Sequence, residues 1–159
     1  MNKFILGLAA AGTLASAHAS AATLAAGIFA STGKVASDNG NANCATVGLT
    51  AGSLNNSVIV YPGASKPGFT LYVPFAGALQ LCNSYATIPA GGLNGYTSDA
   101  QCALIPAPVP AQTVNFQFTL TTTDANTGYG TTTVSIPAGN ILGGGCVATI
   151  ATSIVRSGK

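Results

Sequence analysis

The segment from Thr113 to Thr121 alternates between apolar and polar side chains without a break. Its apolar members are Val114, Phe116, Phe118 and Leu120, and the residues between them are threonine, asparagine or glutamine. Successive side chains of a β-strand point to opposite faces, so this spacing predicts a strand with one buried face and one face in water. A half-buried strand of this kind is typical of antiparallel sheets.

Four other segments also have the composition of strands: Ser57–Tyr61, Phe69–Phe75, Thr131–Ile136 and Cys146–Arg156. Pro74 cannot donate a ladder hydrogen bond, which indicates an edge position or the end of a strand. The turn-rich stretch from Asp124 to Gly130 predicts a hairpin that joins Thr113–Thr121 to Thr131–Ile136. The stretch Ala22–Val35 fits either a strand or a helix.

Clusters of Gly, Pro, Asn and Ser separate these segments: Asp38–Asn41, Gly63–Ser65, Pro89–Gly95 and Gly143–Gly145. Turn signals at such short intervals are typical of all-β domains. We therefore expect an all-β fold, a single antiparallel β-sandwich held by disulfides, with a small β-barrel as the alternative.

The N-terminus has the three parts of a secretory signal peptide. Lys3 gives a positive start, Phe4–Leu14 is apolar, and small residues follow. Two cleavage motifs compete, Ala17-His18-Ala19 and Ala19-Ser20-Ala21, and we favour the second. A retained membrane anchor is the alternative, but the residues after Leu14 are mostly Ala, Ser, Thr and Gly, which insert poorly. We expect a signal peptide over 1–21 and a secreted β domain over 22–159, with no stable membrane span after cleavage.

Cys44, Cys82, Cys102 and Cys146 form an even set in a chain predicted to be exported. Such a set predicts two disulfides in an oxidising compartment, extracellular or at the cell surface. No two of these cysteines have the short spacing of a zinc site, so we expect no metal. The sequence leaves the pairing open, and our preferred pairing is Cys82–Cys102 with Cys44–Cys146.

Three prolines lie between Ile105 and Pro110, which predicts an extended, stiff segment. Three cysteines precede this segment and one follows it. If all four cysteines pair within the chain, one disulfide must join the two sides. We therefore interpret the segment as a connection inside one domain and not as a linker between two.

Ionisable side chains are scarce. Charged residues make up 5% of the chain, there is no glutamate, and the single histidine, His18, lies in the predicted signal peptide. General acid–base catalysis needs such groups, so we expect no enzyme activity and no cofactor. The few basic residues are scattered, which argues against nucleic-acid binding.

Two short motifs have ordinary structural explanations. Ser31-Thr32-Gly33-Lys34 matches the S-x-x-K nucleophile motif, but the S-D-N and K-T-G elements that accompany it are missing. Asp124-Ala125-Asn126-Thr127-Gly128 resembles the start of a calcium loop but offers too few carboxylates. We interpret the first as a polar loop and the second as a hairpin turn.

The sequence favours association over catalysis. Few charges are present to protect sheet edges, so we expect a non-enzymatic structural or adhesive surface protein that associates with itself or with other surface proteins. Strand addition through Ala22–Val35 or Cys146–Arg156 is one route. The alternative is a secreted binding module, with a glycan as one candidate ligand, that uses the loop tyrosines Tyr85 and Tyr96.

Overall fold

The computed structural model describes residues 22–75, 78–105, 110–141 and 143–159. The predicted signal peptide, residues 1–21, lies outside these ranges. The described chain contains one helical turn, α1 (Asn43–Thr46), and the following strands: β1 (Gly27–Asp38), β2 (Leu54–Tyr61), β3 (Thr70–Phe75), β4 (Ala78–Ser84), β5 (Thr97–Ile105), β6 (Gln112–Asp124), β7 (Thr127–Ser135) and β8 (Val147–Gly158).

The strands form one closed antiparallel barrel in chain order, and β1 pairs with β8 to complete it. The all-β class is thus confirmed. Of the two expected architectures, the small β-barrel is correct and the β-sandwich is wrong. Both architectures bury one face of each alternating strand, so the periodicity of a strand does not distinguish them. The distinction comes from the long β1–β8 ladder, which joins the first and last strands of the described chain.

Side-chain alternation divides the barrel into an apolar interior and a largely polar exterior. In β6, Val114, Phe116, Phe118 and Leu120 are all buried, as their spacing predicts. Phe69 contacts both Phe116 and Phe118 edge to face, with ring centroids 5.9 and 5.2 Å apart. This aromatic cluster fills one end of the barrel, the end at which β2 and β4 finish and β3 and β5 begin.

The opposite end is covered by the segment between β1 and β2. Val47 and Leu49 of this segment point into the barrel, and the Cys44–Cys146 disulfide ties the segment to the residue that precedes β8. The second disulfide joins Cys82 of β4 to Cys102 of β5, which are direct partners in the ladder. The structure thus has the preferred pairing, and two disulfides indicate an oxidising compartment.

The uncertain N-terminal stretch is resolved as a strand, because its second half forms β1. The strands on either side of the proline-rich connection, β5 and β6, pair with each other, so this connection lies within one barrel. Among the described residues, no helix is long and apolar enough to cross a membrane.

Candidate functional site

The barrel encloses a cavity of about 60 Å³ between the aromatic cluster and the segment that carries α1. Most of its lining side chains are buried and apolar, and they come from strands all around the barrel. The principal apolar members are Leu49, Ile59, Leu71, Val114, Phe116, Val134, Ile136 and Ile150. A concave, mainly apolar site of this kind is the usual form of a small-molecule pocket.

The side chains that line the cavity are not all equally buried. The lining residues that are half-buried, and not fully buried, are Val47, Asn55, Ser57, Val73 and Gln80. They belong to the α1 segment and to β2, β3 and β4, which are neighbours in the barrel. We call this set of five residues the mouth.

The ladder between β2 and β3 explains the position of the mouth. Its paired residues extend only from Val58 to Val60 on β2 and from Thr70 to Tyr72 on β3. Residues 54–57 of β2 then pair with β1 alone, and residues 73–75 of β3 pair with β4 alone. The barrel wall is therefore incomplete at this seam, where Asn55, Ser57 and Val73 lie.

The polar groups deep in the cavity are hydroxyls. Thr152 donates a hydrogen bond from Oγ1 to Oγ1 of Thr132 at 3.2 Å, and both residues are buried. The Thr152 hydroxyl also lies 3.2 Å from the carbonyl oxygen of Ile150. Because these hydroxyls are hydrogen-bonded, burying them costs little free energy, and because they are neutral, they add no charge to the cavity.

The volume limits what the cavity can hold. A cavity needs about 10–15 Å³ per water molecule on this measure, so 60 Å³ corresponds to roughly four to six waters. Drug-sized molecules occupy pockets of about 300 Å³ or more. A short, narrow ligand that extends out through the mouth fits this volume.

The S-x-x-K motif does not form a catalytic pair. Ser31 is buried and lines the cavity, whereas Lys34 is exposed on the outside of the same strand. Positions three apart in a strand point to opposite faces, so the amine cannot reach the hydroxyl. The motif lies in β1, and the predicted polar loop is therefore wrong.

Two of the aspartates, Asp38 and Asp124, accept hydrogen bonds that stabilise turns and loops. Asp124 accepts a hydrogen bond from the backbone N–H of Asn126 at 2.6 Å, and this contact lowers the pKa of its carboxyl. Asp38 accepts from the N–H groups of Gly40 and Ala51, and the Ala51 contact contributes most to lowering its pKa. No group of three His, Cys, Asp or Glu residues suited to a metal ion occurs in the described ranges.

The two tyrosines singled out from the sequence differ in environment. Tyr85 is 73% exposed and is free to contact a partner on the surface. Tyr96 is only 3% exposed, stacks on Phe118, and donates its hydroxyl hydrogen bond to the carbonyl oxygen of Ala86 at 2.6 Å. Tyr96 therefore belongs to the core, and the side chain has no open face for a glycan.

The residues of the mouth were not predicted from the sequence. Asn55 and Ser57 share the parity of the buried residues Ile59 and Tyr61, so the alternation along β2 contains a signal that places them inside. Gln80 shares the parity of the buried residue Cys82, but hydropathy gives the opposite signal, because Leu79 and Leu81 on the other face would be expected to face inward. In this part of β4 the leucines therefore face outward and the polar Gln80 faces inward, which is the reverse of what hydropathy predicts.

A band of apolar side chains crosses the outside of the barrel. Each member of the band is the ladder partner of the next, on six neighbouring strands that start at β8 and continue from β1 to β5. The members are Val155, Ala30, Val58, Tyr72, Leu81 and Ala103. Val155 is 53% exposed and Val58 is 38% exposed. We call this row the outer band, and it contains no charged side chain.

No family model matches the chain, and neither the curated proteins nor the solved structures contain a match.

Proposed function

We propose that this chain is a secreted, non-enzymatic binding protein that holds one small, uncharged and mainly apolar ligand inside the barrel. The cavity behind the mouth carries this proposal, because its lining is mainly apolar and its half-buried lining residues lie together on neighbouring elements. The interior of a closed eight-stranded barrel is either filled by side chains or holds a single small ligand, and a cavity favours the second case. The scarcity of ionisable side chains agrees with binding without chemistry.

The expected affinity follows from the apolar area that a ligand would bury. Each buried methylene contributes about 0.8 kcal/mol, so five methylenes contribute about 4 kcal/mol. That free energy corresponds to a Kd of about 1 mM. We therefore choose 1-pentanol as the probe and expect millimolar binding, with a tighter natural ligand that makes better use of the mouth.

Isothermal titration of the disulfide-bonded protein with 1-pentanol tests the proposal. The Val114→Phe variant should fill part of the cavity and weaken binding at least tenfold, at a stability cost of about 1–3 kcal/mol. Thr113→Phe, the neighbouring outward position, is the matched control and should bind as the wild type does. Absence of saturable binding to the wild type, or equal binding by Val114→Phe, would refute the proposal.

The outer band favours a second candidate function, a structural or adhesive subunit that associates with copies of itself. Exposed contiguous apolar surface is a common mark of association sites. Strand addition finds less support than side-chain contact, because the segments expected to add to a neighbour are β1 and β8, which pair with each other. Their ladder leaves no free edge along those two strands where they meet.

Sedimentation at several protein concentrations tests this second function. Val58→Lys and Val155→Lys should abolish concentration-dependent association, whereas Thr119→Lys on the threonine-rich side of the barrel should leave it unchanged. A wild-type protein that stays monomeric at high concentration would argue against self-association.

A further inference from the structure

We propose that the mouth selects neutral linear amphiphiles, with the side-chain amides of Asn55 and Gln80 hydrogen-bonding the polar end of the ligand and the apolar tail passing inward between β2 and β3. This inference rests on the proposed binding function and names the class of ligand: a short, unbranched alcohol or amide. Five observations lead to it.

The first observation concerns the seam between β2 and β3, which sets the order in which an entering ligand meets the lining residues. The β2–β3 ladder stops at Val58 and Tyr72, and the unpaired stretches of both strands border the cavity. A molecule that enters at this seam meets Asn55, Ser57 and Val73 before it reaches the buried lining. Amide contacts are therefore available at the outer part of the path, and the contacts at the inner part are mainly apolar, with a few buried hydroxyls among them.

The second observation is the hydrogen-bonding capacity left at the mouth. Asn55 and Gln80 each carry an amide that can donate and accept. Within the described ranges, neither side chain makes a hydrogen bond to the protein, in contrast to Gln101 on the outer face, which donates to Thr113 Oγ1 at 3.0 Å. The mouth amides are thus available for a ligand.

The third observation is charge. All five mouth residues are neutral, and so are the hydroxyls and apolar groups behind them. A charged head group drawn into this opening would lose hydration without gaining an opposite charge, which is costly. A neutral head group that accepts and donates hydrogen bonds matches an amide pair at far lower cost.

The fourth observation is the apolar depth of the site. Ile59 and Leu71 are ladder partners on β2 and β3 just beyond the seam, and Val114 and Phe116 of β6 face the same cavity. All four are buried. An alkyl chain that passes the seam therefore contacts apolar groups from both sides of the barrel.

The fifth observation is shape. The small volume excludes bulky rings unless side chains move, whereas the opening to one side lets a narrow molecule extend outward. A linear chain satisfies both conditions. The polar end then remains at the mouth, near the amides, and the tail occupies the interior.

The test compares four probes with the same alkyl chain: 1-pentanol, 1-chloropentane, pentylammonium and hexanoate. Titration calorimetry of the disulfide-bonded protein should give a Kd for 1-pentanol about five-fold lower than that for 1-chloropentane, the value of one net hydrogen bond. Pentylammonium and hexanoate should bind at least tenfold more weakly than 1-pentanol.

Variants at the mouth test whether Asn55 and Gln80 cause the preference for 1-pentanol over 1-chloropentane. Asn55→Leu combined with Gln80→Met should raise the Kd of 1-pentanol about five-fold and leave that of 1-chloropentane unchanged. Asn56→Leu is the matched control, because Asn56 is the exposed neighbour of Asn55 on the same strand, and it should keep the wild-type preference. Unchanged thermal unfolding shows that each variant is folded.

The outcomes separate this inference from the function on which it rests. If no probe binds the wild type, both the binding function and the ligand class are refuted. If all four probes bind equally, or if the double variant keeps the preference for 1-pentanol, the barrel is a binding site but the selection by Asn55 and Gln80 is refuted.

Discussion

Removal of the Cys44–Cys146 disulfide should destabilise the barrel more than removal of Cys82–Cys102. The two disulfides close chain segments with sequence separations of 102 and 20 residues. In the chain-entropy description, a cross-link restricts the unfolded chain by an amount that grows with the logarithm of this separation. The expected contributions are about 4.7 kcal/mol for the longer segment and about 3.3 kcal/mol for the shorter one.

The comparison is well matched because all four cysteines are buried, so replacing either pair by alanine removes a similar amount of packed sulfur. The difference of about 1.4 kcal/mol therefore reflects mainly the unfolded state. Urea unfolding of the Cys44→Ala/Cys146→Ala and Cys82→Ala/Cys102→Ala variants measures it through the change in free energy of unfolding. A loss for the second variant that equals or exceeds the first would refute the reasoning.

The same pair of variants should also differ in local dynamics. Without Cys44–Cys146, the α1 segment is held by its local hydrogen bonds, the side-chain hydrogen bonds of Asn39 and Asn43 to the carbonyl oxygens of Gly145 and Gly144, and the contacts of Val47 and Leu49. With the covalent link gone, its amides should exchange faster than those of the strands. Hydrogen exchange over residues 39–53 measures this. Unchanged protection in that segment would show that packing, and not the disulfide, holds this cover on the barrel.

Three further changes should alter stability in defined directions. Tyr61→Phe should stabilise the protein by about 1 kcal/mol in thermal unfolding, because the buried hydroxyl of Tyr61 has no hydrogen-bond partner among the described residues; a destabilised variant would contradict this. Gly68→Ala should destabilise it by about 3 kcal/mol, since Gly68 has a φ of +54° and an added Cβ would lie 1.7 Å from the carbonyl oxygen of Ser84; an unchanged melting temperature would be inconsistent with that contact. Asp38 and Asp124 have lowered pKa values, so their stabilisation is present above the ordinary aspartate pKa near 4 and is lost as the pH falls through the lower folded values. Asp38→Asn should therefore reduce the acid-induced drop in melting temperature, and an identical pH profile would exclude Asp38 as a source.

Strand identity could be predicted where hydropathy alternates. Thr113–Thr121 lies within β6, and its four apolar residues are buried as expected. β5 was missed because its inward positions, such as Ser98 and Ala100, are small or polar, and its outward positions include Asp99 and Gln101. When the inward residues of a strand are small or polar, hydropathy does not alternate along it, and the strand cannot be predicted from that alternation.

Barrel closure and the mouth could not be predicted because both depend on contacts between segments distant in the chain. Closure requires β1 to pair with β8, and no local pattern specifies that partner. The mouth requires the β2–β3 ladder to end early, so Asn55 and Gln80 become a site only after the barrel forms. Local periodicity determines which face of a strand is buried and carries no information about its neighbour.

Methyl-detected NMR of the folded, disulfide-bonded protein with 1-pentanol tests the central claim, that the barrel interior is a binding site, most directly. If the interior is the binding site, we expect saturable shift changes confined to methyl groups of the cavity, such as those of Ile59, Leu71 and Val114. Shift changes restricted to the outer band, as at Val58 and Val155, with an unperturbed interior would contradict it and favour the surface as the functional part of the molecule.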